Sequence, residues 1–150
     1  MFIAGIRATG AVASTSTALV VLAWAYARLG QPVDGLNCLA EAAQIIETTD
    51  ERQSEAVLHW VQGDLLNATG DPSAAERSYH RAIAVAKLQN AKPFELRASI
   101  KLALLWRKQD RRGEARNLLA PIYGWFTEGF DAPILKGAKA LLEELNSNPI

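Results

Sequence analysis

The sequence contains very few of the residues that form disulfides or metal sites. Of its 150 residues, one is cysteine, one is methionine and two are histidine. A single cysteine cannot form an internal disulfide, and the position of Cys38 between Leu36 and Leu39 on a helix predicts burial as a small apolar residue. This composition fits a reducing compartment, and we expect the protein to be cytoplasmic.

The chain also lacks net charge and a long apolar run. Sixteen basic residues balance sixteen acidic residues, so no overall field attracts nucleic acid or membranes. The longest apolar run, residues 18–27, is shorter than the roughly 20 residues that span a bilayer. It also has features of a secretory signal, but cleavage there would discard half of the first hairpin described below. We therefore expect no membrane partner.

One region departs from this charge balance. Six basic residues lie between Lys101 and Arg116, against Asp110 and Glu114. Binding of nucleic acid by this basic cluster is an alternative, but the balanced overall charge disfavours it. We therefore expect no nucleic-acid partner.

Catalytic motifs are missing as well. The sequence has no phosphate-binding Gly-x4-Gly-Lys-Ser/Thr run. His59 and His80 fall on different predicted helices without ligand-spaced cysteines or carboxylates, which favours surface or hydrogen-bonded histidines. The carboxylate pairs at residues 50–51 and 143–144 are predicted at a helix start and on a solvated face, where catalytic pairing is not expected. We expect no enzymatic activity, no metal and no cofactor.

What the sequence does contain is a helical hairpin, clearest at residues 63–82. Gly70 predicts a left-handed helix end because glycine tolerates positive φ. Asp71 and Pro72 predict the N-cap and first residue of the next helix. Gly63 leaves space for a neighbouring helix to pack closely. The second helix aligns three residues of alternating size on one face: Ala75, Tyr79 and Ala82.

This pattern returns every 40 residues. The equivalent residues keep their size: Ala23, Gly63 and Ala103; Tyr26, Leu66 and Trp106; Gly35, Ala75 and Ala115. The period exceeds the 34 or so residues of tetratricopeptide (TPR) repeats and lies near the HEAT and armadillo range, but the internal spacing is typical of TPR hairpins. We predict an all-α, TPR-like right-handed helical-hairpin solenoid of about three hairpins plus a C-terminal capping helix.

We expect one TPR-like domain over residues 1–150. Residues 7–10 match the end of a second helix, so residues 1–13 are predicted to be the remnant of a preceding repeat. Hairpins are predicted at 14–50, 51–90 and 91–127, and a capping helix at 131–146, with Asp131 as its cap. The individual helices are predicted at 14–29, 32–48, 51–69, 72–89, 93–109, 112–126 and 132–145. Trp125, Phe126 and Phe130 are predicted to pack against the last helix.

In this architecture the first helix of each hairpin lines the concave face, which makes its inward positions a candidate partner site. These positions are Trp24, Val57, Trp60, Asp64, Asn67, Arg97, Lys101, Leu104, Arg107 and Lys108. An apolar half followed by a cationic half suits a protein or peptide partner with aromatic or aliphatic anchors and acidic residues. The alternative is a simply solvated face. The incompletely covered N-terminal hairpin indicates a homo-oligomer as a further option.

The stretches at residues 5–10, 25–31 and above all 102–142, which includes APIYGWFTEGFD at 120–131, resemble a known family. It is the C-terminal TPR region of bacterial multidomain signalling proteins. In that family a class III adenylate or guanylate cyclase domain, or a DNA-binding domain, precedes an ATPase module and the repeats. The resemblance covers residues 5–145. It implies a sensor or scaffold role, because this chain matches only the tail.

Two functions follow from the repeat pattern and the resemblance together. The first is a non-catalytic protein–protein interaction module, the TPR tail of a signalling or regulatory protein. The second is a truncated remnant of an adenylate-cyclase- or ATPase-type regulator that has no independent activity. An in-frame ATPase or cyclase in the DNA upstream would favour the second.

Overall fold

A computed structural model describes residues 12–50 and 52–147 of the chain, and within these ranges every regular element is a helix. The all-α fold class is therefore confirmed. The helices are α1 (Val12–Arg28), α2 (Pro32–Thr49), α3 (Glu55–Ala68), α4 (Pro72–Leu88), α5 (Lys92–Lys108), α6 (Arg112–Trp125) and α7 (Pro133–Asn146). The predicted repeat remnant at residues 1–13 lies almost entirely outside the described residues. No helix of the described part is long and apolar enough to cross a bilayer.

The predicted helix boundaries agree with the structure except at the start of α3. That helix begins at Glu55 and not at residue 51. Asp50 has φ 56° and ends α2, and the Glu55 amide donates to the Arg52 carbonyl oxygen at 3.0 Å in an intervening turn. The prediction that the 50–51 pair starts a helix was therefore wrong for Asp50. Glu51 lies outside the described residues.

Residues with positive φ recur at 20-residue intervals, where the helices end. They are Gly30 (72°), Asp50 (56°), Gly70 (89°), Asn90 (53°) and Asp110 (59°). Glycine, asparagine and aspartate are the types that tolerate this backbone region best. The predicted left-handed end at Gly70 is confirmed. The next such residue, Gly129 (78°), comes one position early and falls in the irregular segment before α7.

The turns that follow α1, α3 and α5 share one hydrogen-bond pattern. In each, an amide bonds to the carbonyl five residues earlier: Gln31 to Tyr26 at 2.9 Å, Asp71 to Leu66 at 3.0 Å, and Arg111 to Trp106 at 2.8 Å. This bond is the long one of a Schellman motif. The helices that follow begin 40 residues apart, at Pro32, Pro72 and Arg112. The same bond also follows α4, where the Ala91 amide bonds to the Ala86 carbonyl at 2.9 Å. The helix starts therefore follow the 40-residue period, whereas this turn is not confined to it.

Capping was predicted correctly at one helix and wrongly at another. The Asp71 carboxylate accepts a hydrogen bond from the Ala74 amide at 3.1 Å, which confirms it as a cap of α4. At α7 the residue before the helix is Ala132, with extended backbone and no side-chain cap. The assignment of Asp131 as the cap was wrong because Pro133 begins the helix, and proline both supplies a helical φ and forces an extended residue before it.

The chain divides into two compact units, Met1–Val85 (the N-terminal unit) and Ala86–Ile150 (the C-terminal unit). In the N-terminal unit, α1, α2 and α3 pack against one another. A Cβ on Gly63 would lie 2.5 Å from Tyr79 Cε1, and one on Gly35 would lie 2.9 Å from Leu65 Cδ2. The close packing predicted at Gly63 is confirmed, and α3 is held tightly by α2 and α4.

In the C-terminal unit, α6 packs against both α5 and α7, and α7 also contacts α5. Leu96, Leu102 and Leu119 are fully buried between these helices. One face of α7 is buried, at Leu135, Ala138, Leu141 and Leu145. This arrangement places one side of α7 beside α5, which positions the surface described next.

Candidate interaction surface

Of the five predicted partner-binding residues of the N-terminal unit, Trp24, Val57 and Asn67 reach solvent. Trp24 is 46% exposed, and the Arg28 guanidinium lies 4.9 Å from the centre of its ring. Val57 is partly exposed and Asn67 is exposed. Trp24 therefore has a cation on one ring face and still offers apolar surface.

The other two, Trp60 and Asp64, are engaged inside the N-terminal unit. Trp60 is 8% exposed, so its ring offers a partner almost no surface. The Asp64 carboxylate accepts a hydrogen bond of 2.5 Å from the Tyr79 hydroxyl. Burial, and then the nearby Asp64 charge, raise the pKa of Tyr79 far above that of a free tyrosine. The Tyr79–Asp64 bond links α4 to α3. Neighbouring helices cover Trp60, whereas Asp64 stays partly exposed.

In the C-terminal unit, the structure brings three of the five predicted residues together. Arg97, Lys101 and Leu104 line one groove. Arg107 instead donates to the Glu144 carboxylate at 2.6 Å, linking α5 to α7. Lys108 is exposed in the last turn of α5. Of the four cationic residues predicted on α5, only Arg97 and Lys101 line the groove.

This groove, the α5–α7 groove, has a volume of about 380 Å³. Its lining comes from both helices: Arg97, Ile100, Lys101 and Leu104 of α5, and Pro133, Ile134 and Gly137 of α7. The α5 residues follow i, i+3, i+4, i+7 spacing, which places them on one helix face. The groove therefore combines an apolar lining with two cationic side chains.

A second cavity of about 700 Å³, the aromatic pocket, lies at the amino-terminal ends of α5 and α7. Its lining residues are Pro93, Leu96, Trp125, Phe126, Thr127, Glu128, Gly129, Ala132, Ile134 and Leu135. Trp125 is 57% exposed and Phe130 is 46% exposed. The prediction that the aromatic residues pack against the last helix was therefore wrong for most of the Trp125 ring, which forms a wall of an open pocket.

The basic cluster makes contacts within the C-terminal unit. Arg111 donates to Glu114 at 2.6 Å, and its guanidinium lies 4.7 Å from the centre of the Trp106 ring. Arg112 donates to the Glu144 carbonyl oxygen at 2.5 Å. These guanidinium groups are committed to intramolecular partners, which weakens the case for a phosphate-binding patch.

The histidines give no sign of metal binding. His59 is more than half buried, and its Nδ1 has no hydrogen-bond partner among the described residues. Burial lowers the pKa of His59, opposed by a hydrogen bond with Gln62. The expectation of a surface or hydrogen-bonded histidine holds for His59 in part, because it is partly exposed and bonds to Gln62 while its Nδ1 has no partner among the described residues. His80 is exposed, as predicted, and lies 3.9 Å from Glu76.

No group of three or more histidine, cysteine, aspartate or glutamate side chains in the described ranges could hold a metal ion. Cys38 is only partly buried, less than the sequence predicted. Burial, followed by the Asp34 charge, raises the pKa of its thiol, so the reactive thiolate is disfavoured. Glu143 and Glu144 are exposed, as predicted.

Comparison with known proteins does not assign the chain to a family. No protein family, no curated protein and no solved structure matches the chain. The resemblance to bacterial TPR regions thus stays a sequence-based expectation. The features of the structure that bear on function are the groove and the pocket of the C-terminal unit.

Proposed function

We propose that the protein is a non-catalytic interaction module whose C-terminal unit binds an acidic peptide segment of a partner protein in the α5–α7 groove. The observation that carries this proposal is one face of α5, where two cationic residues, Arg97 and Lys101, line the same groove as Ile100 and Leu104. Such a face offers charge and apolar contact over the same short distance.

The charges favour an acidic ligand. Arg97 and Lys101 stand four residues apart on α5, where two like charges repel each other on a helix. A carboxylate between them would relieve that repulsion and accept charge-assisted hydrogen bonds, which are stronger than neutral ones. Arg97 is exposed and Lys101 partly exposed, so both side chains can turn toward a bound acid.

The apolar lining supplies the rest of the binding energy. Ile100, Leu104 and Ile134 come from facing helices, and apolar area removed from water contributes about 25 cal/mol per Å². The α5 face from Arg97 to Leu104 extends for about 10 Å at the rise of an α-helix. That length matches a short peptide better than a folded domain, since a stable domain interface needs about 800 Å² per partner.

Repetition supports a wider role as a TPR-like scaffold. The helix starts at Pro32, Pro72 and Arg112 and the buried small residues at equivalent positions return with a 40-residue period. The resemblance to the TPR tails of bacterial signalling proteins supports a cytoplasmic regulatory setting for the module. The remnant hypothesis makes the opposite prediction for the groove, which would then bind no peptide.

Calorimetry on the full chain tests the proposal. We expect an acidic peptide with aliphatic residues to bind, and the same peptide with lysine at its acidic positions to fail. Arg97→Glu and Lys101→Glu should each weaken binding by about tenfold or more, which corresponds to about 1.4 kcal/mol. Lys108→Glu makes the same charge change on the same helix outside the groove, so it should leave affinity nearly unchanged. Equal effects of all three variants would reject the groove as the site.

A further inference from the structure

We infer that the aromatic pocket receives one bulky apolar side chain of the same acidic peptide and thereby fixes the direction in which the peptide lies. This inference rests on the proposed function and specifies its ligand. The ligand class is an extended acidic segment with an aromatic or branched aliphatic anchor on one side of its acidic residues.

The pocket is continuous with the groove. Ile134 of α7 lines both, and each site also takes lining residues from α5. Leu96 and Leu135 are buried and close the pocket from below. A ligand that lies in the α5–α7 groove and extends toward the amino-terminal end of α5 therefore enters the pocket.

The aromatic wall is supported by contacts within the C-terminal unit. The Trp125 and Phe126 rings meet edge to face, with centroids 5.1 Å apart at 86°. Lys92 Nζ lies 5.6 Å from the centre of the Trp125 ring and 3.3 Å from the Glu95 carboxylate. An exposed but supported tryptophan beside an apolar pocket is typical of the few residues that dominate binding energy.

Charge differs between the two ends of this surface. Arg97 and Lys101 line the groove, whereas Glu128 lines the pocket. Acidic residues of a peptide are therefore attracted to the groove and repelled from the pocket. Like charge facing like charge is a common source of specificity. Only one peptide direction places the acids and the apolar anchor correctly.

The distance between the sites sets the spacing within the peptide. The pocket takes Pro93 and Leu96 from α5, and the groove takes residues from Arg97 to Leu104. The middles of these sets lie about six residues apart, or about 9 Å along the helix. An extended peptide covers that distance in about three residues. We expect the anchor about three positions from the acidic residues.

The first test is selection from a phage-displayed library of random dodecapeptides on the full chain. We expect selected sequences to combine acidic residues with one aromatic or branched aliphatic residue at that spacing, in a single order. Replacing the anchor by alanine in a synthetic copy should weaken binding about tenfold or more. Selection of acidic peptides with no preferred apolar residue would overturn the inference and leave the proposed function standing.

The second test uses variants of the pocket. Trp125→Ala should weaken the anchored peptide about tenfold or more and leave the anchorless acidic peptide unchanged. Glu128→Lys should admit peptides with an acid next to the anchor. Unchanged affinity of the anchored peptide for Trp125→Ala, together with loss on Arg97→Glu, would place the peptide in the groove alone. If no acidic peptide binds the unchanged protein, the proposed function fails.

A spectroscopic measurement keeps the test valid if Trp125→Ala fails to fold. In the unchanged protein, the indole N–H resonance of Trp125, assigned with Trp125→Phe, should shift when the anchored peptide is added and stay in place when the anchorless peptide is added. Equal shifts with both peptides would contradict an anchor in the pocket.

Discussion

The two units use polar groups differently. In the N-terminal unit they lie between helices: Tyr79 bonds to Asp64 across α4 and α3, and Thr17 bonds to Ser54 at 2.6 Å. In the C-terminal unit, Arg107 and Arg112 link helices at the surface, through the Glu144 carboxylate and the Glu144 carbonyl oxygen respectively. The N-terminal unit thus uses polar groups to join α3 to its neighbours, whereas the C-terminal unit leaves cationic and aromatic groups at an open surface.

The two units also differ at the bulky position that recurs in each sequence repeat. Leu39, Tyr79 and Leu119 occupy it in the three repeats, and all three are buried. Only the tyrosine faces a glycine, Gly63, where the other repeats have Ala23 and Ala103. A larger ring is accommodated by a smaller partner, because a protein core has almost no free volume. Packing at one repeat position therefore depends on the size of the pair and not of either residue alone.

Gly63→Ala gives the largest expected effect of four changes that test this comparison. The new Cβ would meet three atoms of the Tyr79 ring at 2.5–2.9 Å. We expect a loss of about 2 kcal/mol in the free energy of unfolding, even though alanine is the better helix former by about 1 kcal/mol. Urea denaturation measures it.

Two further variants serve as controls for that loss. Gly137→Ala on α7, where a Cβ meets nothing within 4 Å, should raise stability by about 0.5–1 kcal/mol. Gly63→Ala with Tyr79→Leu, which copies the pair of the other repeats, should recover part of the loss. If the double variant were no more stable than Gly63→Ala, the combined size of residues 63 and 79 would not determine their packing.

Tyr79→Phe should lower the free energy of unfolding by about 1–2 kcal/mol, because it removes a hydrogen bond to a carboxylate that is partly buried.

The raised pKa of Tyr79 also makes stability depend on pH. Above about pH 10 the unfolded tyrosine ionises while the folded one stays neutral, so stability is lost as pH rises. Urea titrations at neutral and high pH measure both effects. If Tyr79→Phe lost as much stability between neutral and high pH as the unchanged protein, ionisation of Tyr79 would not be the cause.

His59 should add a smaller dependence at acid pH. Burial lowers the pKa of its imidazole in the folded state. As pH falls below about 6.5, the unfolded state binds a proton that the folded state does not, so stability decreases until the folded group is protonated. His59→Gln should lose less stability than the unchanged protein between pH 7 and the acid range. His80→Gln, at an exposed site, is the matched control, and identical curves for all three proteins would reject the prediction.

The pair Arg107–Glu144 should contribute least, about 0.2–1 kcal/mol, because both side chains are partly exposed and screened by salt. A double-mutant cycle with Arg107→Ala and Glu144→Ala, measured at low and high salt, gives the coupling energy. A coupling well above that range would mean that the C-terminal unit also depends on polar contacts between helices.

Local signals in the sequence predicted the helices well. Gly70, Asp71 and Pro72 act through the backbone of their own turn, so their roles could be assigned without any neighbour. The start of α3 was missed because Ser54 and Thr17, 37 residues apart, meet only after folding. The same limit applies to the surface. Trp60 and Trp125 are chemically alike, and only the packing of neighbouring helices makes one a core residue and the other a pocket wall.

The five left-handed residues that end the helices from Gly30 to Asp110 also have an evolutionary consequence. Each stops its helix through its own backbone, so the chain is punctuated at intervals that do not depend on distant contacts. A duplication or deletion of forty codons would therefore leave every remaining helix followed by its own end signal.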